Sequence, residues 1–131
     1  MQRTYLTDSK MVLGFKPQFV PKILSGQKIH TIREDKHNRW KPGMNIHMAT
    51  GVRTKKYECF KYDRCESVQE IVFHYYRKTC RPHVRIDGRL LYPEEVMRLA
   101  RNDGFDSLAD FFAWFNNDYR GKIIHWTYTK Y

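Results

Sequence analysis

The sequence predicts an α+β fold of five or six short strands and three helices, and three observations carry that expectation. Two segments of the second half follow a 3.6-residue apolar period, with residues suited to start and stop a helix. Most of the remainder breaks into short runs rich in β-branched and aromatic residues. Gly and Pro mark the boundaries between runs. A chain of 131 residues sustains one core and buries roughly two-thirds of the surface its unfolded form exposes. An apolar fraction of 41% with 15% aromatics fits a packed globule and not a disordered segment.

Met11 to Phe15 is a short apolar run that ends before Lys16-Pro17, and a proline stops a strand because it lacks a ladder donor. Phe19, Val20, Ile23 and Leu24 then fall at helical spacing, with Pro21 near the start and Gly26 closing, the usual order of Pro and Gly around a helix. Ile29, Thr31 and Ile32 predict a strand over residues 28–34, and Lys41-Pro42-Gly43 turns the chain into a further strand over residues 44–50. Residues 57–76 hold two strands of undefined limits, and residues 84–90 alternate about Asp87-Gly88 as a hairpin does.

The helix over residues 92–102 opens on Pro93-Glu94-Glu95 and closes before Gly104, with Val96, Leu99 and Ala100 on one face. Leu108, Phe111, Phe112 and Phe115 form the stripe of another helix over residues 107–117. Ile123, Ile124, Trp126 and Tyr128 supply a closing strand. No repeat or linker divides the chain. Residues 1–10 are polar and read as a loose arm, and residues 11–131 as a single domain.

No apolar run approaches the 18 or so residues that cross a bilayer, and the first residues lack the apolar stretch of a signal peptide. A cytoplasmic protein without membrane contact is expected, monomeric by default. Cys59, Cys65 and Cys80 are odd in number and irregularly spaced, as suits reduced thiols. The net charge of +10 is unevenly spread: residues 1–65 carry 14 Lys and Arg against 5 Asp and Glu, and residues 66–131 carry 10 against 9. A field of one sign draws polyanions, so RNA or a phosphate-bearing small molecule is the natural partner, although such charge also serves solubility alone.

Within the basic half, the run from Gly26 through Gln27, Lys28, Ile29, His30, Thr31, Ile32 to Arg33 presents four donors in six residues: Lys28, His30, Thr31 and Arg33. Strand alternation puts Thr31 and Arg33 on one face and Lys28 and His30 on the other. Lys28 joins Thr31 only if it still belongs to the turn before the strand. Arg39-Trp40-Lys41-Pro42-Gly43 follows. There Trp40 either stacks on a base or anchors the turn in the core.

These pieces in this order resemble the ASCH domain family of the PUA-like superfamily: Leu-Ser-Gly ending a short helix, the Gly-x-Lys-x-x-Thr-x-Arg segment, the Trp-Lys-Pro-Gly turn, and Asp103-Gly104-Phe105 before the last helix. The resemblance covers most of the chain. It implies a small β-barrel with about three helices packed around it and a cleft beside the Lys-Thr-Arg strand. It also implies RNA binding and, in one branch, hydrolysis of the acyl amide of N(4)-acetylcytidine by a Lys, a Thr and a Glu. Those roles fall on Lys28, Thr31 and, in the last helix, Asp110, one methylene shorter than the family's Glu. The basic segment over residues 57–89 is longer than in compact members. The ligand-binding set expected from this reading is Lys16, Lys28, His30, Arg33, Arg39, Trp40 and Lys41.

The chemistry is self-consistent. Amide hydrolysis needs a nucleophile, a base and an acid for the leaving amine. Thr31 supplies a hydroxyl, and Lys28 acts as base if its pKa falls from about 10.4 toward 7, at a cost of about 4 kcal/mol. Basic neighbours favour that fall and a close carboxylate opposes it. Each residue also has an ordinary role: Asp110 lies three after Ser107, as a capping-box partner does, and Thr31 is a common strand former. The expected function is binding of RNA or a modified nucleoside, with hydrolysis of an N(4)-acylated cytidine as the specific reaction. The alternatives are a non-catalytic single-stranded RNA-binding module or, less favoured, a ribonuclease.

No motif calls for a cofactor. Cys80-Arg81-Pro82-His83, with His74 nearby, lacks the paired spacing of a zinc site, so no metal is expected. Tyr75-Tyr76-Arg77-Lys78 combines rings with charge, as an RNA-binding surface does and as half-buried sheet tyrosines also do.

Overall fold

In the computed structural model, which describes residues 10–78 and 80–131, eight strands and three α-helices build two sheets on one core. Strand β1 (Lys10–Gly14) leads through a 3₁₀ turn at Pro17–Phe19 into helix α1 (Val20–Leu24), then β2 (His30–Arg33), β3 (Asn45–Thr50), β4 (Glu58–Arg64) and β5 (Ser67–His74). β6 (His83–Ile86) and the two-residue β7 (Arg89–Leu90) form the expected hairpin, and α2 (Pro93–Asn102), α3 (Leu108–Trp114) and β8 (Tyr119–His125) complete the chain.

The smaller sheet has the order β1-β3-β4, with β1 parallel to β3 and β4 antiparallel to it. The larger runs β2-β8-β5-β6-β7 with antiparallel neighbours throughout. Among the described residues no strand ladder joins the two sheets into a closed barrel. They meet instead through side chains: Phe15, just after β1, lies edge-on to Phe60 of β4 and to Trp126, just after β8, with ring centroids 6.2 Å apart in both pairs.

The core follows the apolar patterns. Ile46 and Met48 of the small sheet and Ile71, Ile123 and Ile124 of the large one are fully buried. Leu99 and Phe111 are buried on the inward faces of α2 and α3, and Phe115 stacks on Phe73 of β5 at 4.9 Å. Trp40 is also buried. Its backbone N–H, with that of Arg39, is held by the two carboxylate oxygens of Asp35 at 3.0 and 2.8 Å. The turn therefore uses its tryptophan as a core anchor.

Several boundaries differ from expectation, for local reasons. The strand expected from residue 28 starts at His30, because the Lys28 amide still donates to the Lys22 carbonyl (2.9 Å) and the Ile29 amide to Asn102 (2.9 Å). α3 ends at Trp114, since Phe115 leaves helical geometry at φ −105°, ψ 71°. The last strand starts earlier than expected, at Tyr119, because Tyr119, Arg120 and Gly121 pair with Phe73, Val72 and Ile71 of β5; Gly121 also lets β2 approach, since a Cβ there would lie 2.6 Å from the Arg33 carbonyl oxygen. The strand count is eight against five or six; the two-residue β7 is too short to leave a periodic signal, whereas the two strands expected over residues 57–76 are present as β4 and β5. Of the arm expected over residues 1–10, residues 1–9 lie outside the described residues, and Lys10 is already in register with Asn45. Among the described residues no helix is long and apolar enough to cross a membrane.

Candidate functional site

A cleft of about 520 Å³ opens where the chain leaving β1 (Gly14, Phe15, Lys16), strand β2 (Thr31, Ile32, Arg33), the α2–α3 junction (Asp103, Phe105) and residues 114–119 converge on Lys28. The turn placement of Lys28 brings it to this side of β2. Its side chain is 3% exposed. The amine lies 5.0 Å from the centre of the Phe19 ring and 5.8 Å from that of Phe15, each a cation–π contact.

The amine is anchored by one residue. Lys28 Nζ donates to the backbone carbonyl of Asp103 at 2.5 Å and to its Oδ1 at 3.2 Å. Asp103 is the C-cap of α2, so its carbonyl belongs to a helix end whose orphan acceptors and negative dipole favour a cation. A carboxylate at that end is unfavourable unless a cation accompanies it, and here the cation is Lys28. Gly104 makes the approach feasible. It has φ +96°, and a Cβ at this position would stand 2.9 Å from Lys28 Cδ and 3.1 Å from Phe19 Cδ1. Only glycine meets both demands without strain. Burial holds the Lys28 pKa below its ordinary value, with Arg33 and Lys22 adding to the fall and Asp103 opposing it.

His30 stands on the other side of Asp103. Its Nδ1 is 3.1 Å from Asp103 Oδ1 and its Nε2 is 2.6 Å from the Tyr131 hydroxyl, which also accepts from Asn102 Nδ2 at 2.9 Å. One assignment satisfies all three bonds: Nδ1–H donates to the carboxylate, and Tyr131 O–H donates to a neutral Nε2. Burial keeps His30 neutral by lowering its pKa. A second buried imidazole, His125, lies edge-on to His30 at 5.2 Å and donates Nε2–H to Gln69 Oε1 at 3.0 Å. Burial pushes its pKa down to about 3. Among the described residues its buried Nδ1 has no partner.

Thr31 and Arg33 share the cleft face of β2, as strand alternation requires. Arg33 Nε donates to Thr31 Oγ1 at 3.2 Å and an Arg33 terminal nitrogen to the Gly14 carbonyl at 2.7 Å. The Thr31 proton is thus left to donate into the cleft. Among the described residues no hydrogen bond joins Thr31 to Lys28, although both line the same space. At the mouth, Lys16 Nζ lies 5.9 Å from the centre of the Trp114 ring, which is 45% exposed. Tyr119 completes the wall, its hydroxyl held protonated by burial, which pushes its pKa up to about 12.

Of the residues named from sequence, Lys16, Lys28, Thr31 and Arg33 line this cleft, and His30 supports it from behind. Arg39, Trp40 and Lys41 do not: Trp40 is core, and the Arg39 and Lys41 side chains are exposed elsewhere. Asp110 is also displaced. It is exposed, its amide donates to the Ser107 hydroxyl at 3.1 Å as in a helix cap, and it borders a separate hollow with Lys22 and Asp106. The carboxylate that meets Lys28 is Asp103. Its signal in the sequence was an acidic residue at a helix C-terminus just before Gly, where an unaccompanied carboxylate is disfavoured.

Among the described residues no three His, Cys, Asp or Glu side chains gather closely enough to hold a metal ion. No family model, no curated protein and no solved structure matches the chain.

Proposed function

We propose that this chain is an ASCH-type, PUA-like domain whose cleft takes a nucleobase of RNA or of a modified nucleoside, with the amide of an N(4)-acylated cytidine as the bond it hydrolyses. The observation that carries the reading is a buried amine, its pKa lowered by burial, that shares a cleft of about 520 Å³ with a strand hydroxyl, walled by aromatic rings. Such a cleft accommodates a nucleoside. In this reading the two sheets are the two walls of a PUA-like barrel.

The reaction divides among three residues. When Lys28 is neutral, its two hydrogens are donated to the carbonyl and Oδ1 of Asp103, and its lone pair is left to take the Thr31 proton. Arg33, donating to Thr31 Oγ1, favours the developing alkoxide. Thr31 Oγ attacks the acyl carbon, the bond from that carbon to N4 breaks, and the proton carried by Lys28 passes to the leaving amine. Water then hydrolyses the acyl-threonine ester, releasing the carboxylic acid and restoring the hydroxyl. Asp103 holds the amine in place and sets its protonation.

Calorimetric titration with N(4)-acetylcytidine tests the site. Binding by wild type and its loss in Arg33→Ala and Lys28→Ala, with both variants folded by circular dichroism, are expected; equal binding by all three overturns the assignment. The close Lys28–Asp103 ion pair also favours a second reading, a pure binding module in which the amine stays charged and the RNA is not altered. In that case oligoribonucleotide binding falls steeply with salt, with a log–log slope near −3.5 for about five neutralised phosphates, and no free cytidine appears.

A further inference from the structure

The hairpin between β5 and β6 carries an exposed ring that the cleft does not use. Tyr76 is 65% exposed, yet its ring rests against two neighbouring imidazoles, with centroids 4.3 Å from His74 and 4.6 Å from His83. Those histidines are cross-strand partners at the end of the β5–β6 ladder, so the ring sits on a rigid base. Residues 75–86 contain four Arg and Lys and no acid. In a half of the chain that is nearly neutral, this concentration of charge is local. Arg77, Lys78, Arg81 and Arg85 are all exposed.

The hairpin is also tied to the cleft. The Tyr75 amide donates to Asp118 Oδ1 at 2.8 Å, His74 Nδ1 lies 3.5 Å from Asp118 Oδ2, and the Tyr75 hydroxyl donates to the Phe115 carbonyl at 2.5 Å. Phe115 and Asp118 are both cleft residues. A strand with one base in the cleft therefore has the hairpin a short step away.

We propose that Tyr76 is a stacking platform for a neighbouring base of single-stranded RNA, which makes an oligonucleotide, and not only a free nucleoside, a ligand of this protein. The proposal rests on the reading of the cleft as a nucleobase site. A rigid, exposed ring with flanking cations matches a ligand that alternates flat π-faces with phosphates. An acidic peptide would use the cations and leave the ring idle. A duplex keeps its bases stacked on one another and offers the ring no face.

The test compares two ligands in three proteins: 5′-fluorescein-labelled heptacytidylate by fluorescence anisotropy, and N(4)-acetylcytidine by calorimetry, with wild type, Tyr76→Ala and Tyr76→Phe. Expected is a loss of roughly 10-fold in heptacytidylate affinity for Tyr76→Ala, near-wild-type affinity for Tyr76→Phe, and no change for the nucleoside. Heptacytidylate binding that is absent in wild type or unchanged in Tyr76→Ala overturns the platform, as does a parallel loss of nucleoside binding, which places the effect in the fold. If heptacytidylate binding depends on Tyr76 while the nucleoside does not bind at all, the cleft reading fails and the platform stands.

Discussion

Lys28 Nζ touches two oxygens of the same residue, the Asp103 carbonyl at 2.5 Å and Oδ1 at 3.2 Å, with both side chains 3% exposed. A helix end and a carboxylate thereby share one cation, and the lysine binds α2 to the turn before β2. Breaking one side of a buried pair leaves an uncompensated charge, whereas replacing both relieves it.

Lys28→Met, which keeps the apolar stem, is expected to lower stability by about 3 kcal/mol, and Asp103→Asn by a comparable amount. The double variant recovers part of that loss. Urea denaturation of the four proteins measures the coupling, and strictly additive losses contradict a direct pair.

Gly104→Ala combines a φ of +96° with a Cβ 2.9 Å from Lys28 Cδ, so backbone strain and crowding act together. A destabilisation of about 1 to 3 kcal/mol is expected in thermal melts, accompanied by weaker nucleoside binding as the amine is displaced. Gly26→Ala also has a positive φ, of +88°, but meets nothing within 4 Å, so it is expected to reduce stability with little effect on binding. Equal effects of the two on binding would detach Gly104 from the site.

Acid stability follows from the buried histidines. His125 has its pKa lowered from 6.5 to about 3 by burial, and that of His30 is also lowered. Between about 3 and 6.5 the unfolded chain holds the His125 proton that the folded chain refuses, so stability rises with pH across that window and falls as pH drops. The slope for one such imidazole is about 1.4 kcal/mol per pH unit. His125→Gln is expected to flatten the stability profile over that window in urea titrations at stepped pH. An unchanged slope would mean that His125 takes up a proton while folded.

How much of this was legible beforehand depended on how local each signal is. The α+β class, α2, the aromatic stripe of α3 and the basic run at Lys28 follow from neighbouring residues alone, and the α+β class holds in the structure. The residues that gather in the cleft from far along the chain were harder. Asp103 meets Lys28 across 75 positions, and periodicity carries no information about such pairs. Asp110 enters only through the resemblance, which sets the family's Glu in the last helix, and Trp40 through its basic neighbours, which resemble a binding surface. Packing resolved both: Ser107 caps the Asp110 amide, and the Asp35 clamp leaves Trp40 7% exposed. His30 stands out in the sequence only as a donor of the basic run and His125 not at all, since nothing near either residue marks it as buried or pairs the two.

The most direct test is chromatography of N(4)-acetylcytidine after incubation with wild type, Lys28→Ala, Thr31→Ala, Asp103→Asn and Asp110→Ala. Release of cytidine by wild type and by Asp110→Ala, with none above background from the other three while they remain folded, is the expected result. Cytidine release that survives in Asp103→Asn and disappears in Asp110→Ala would contradict the site described for this protein.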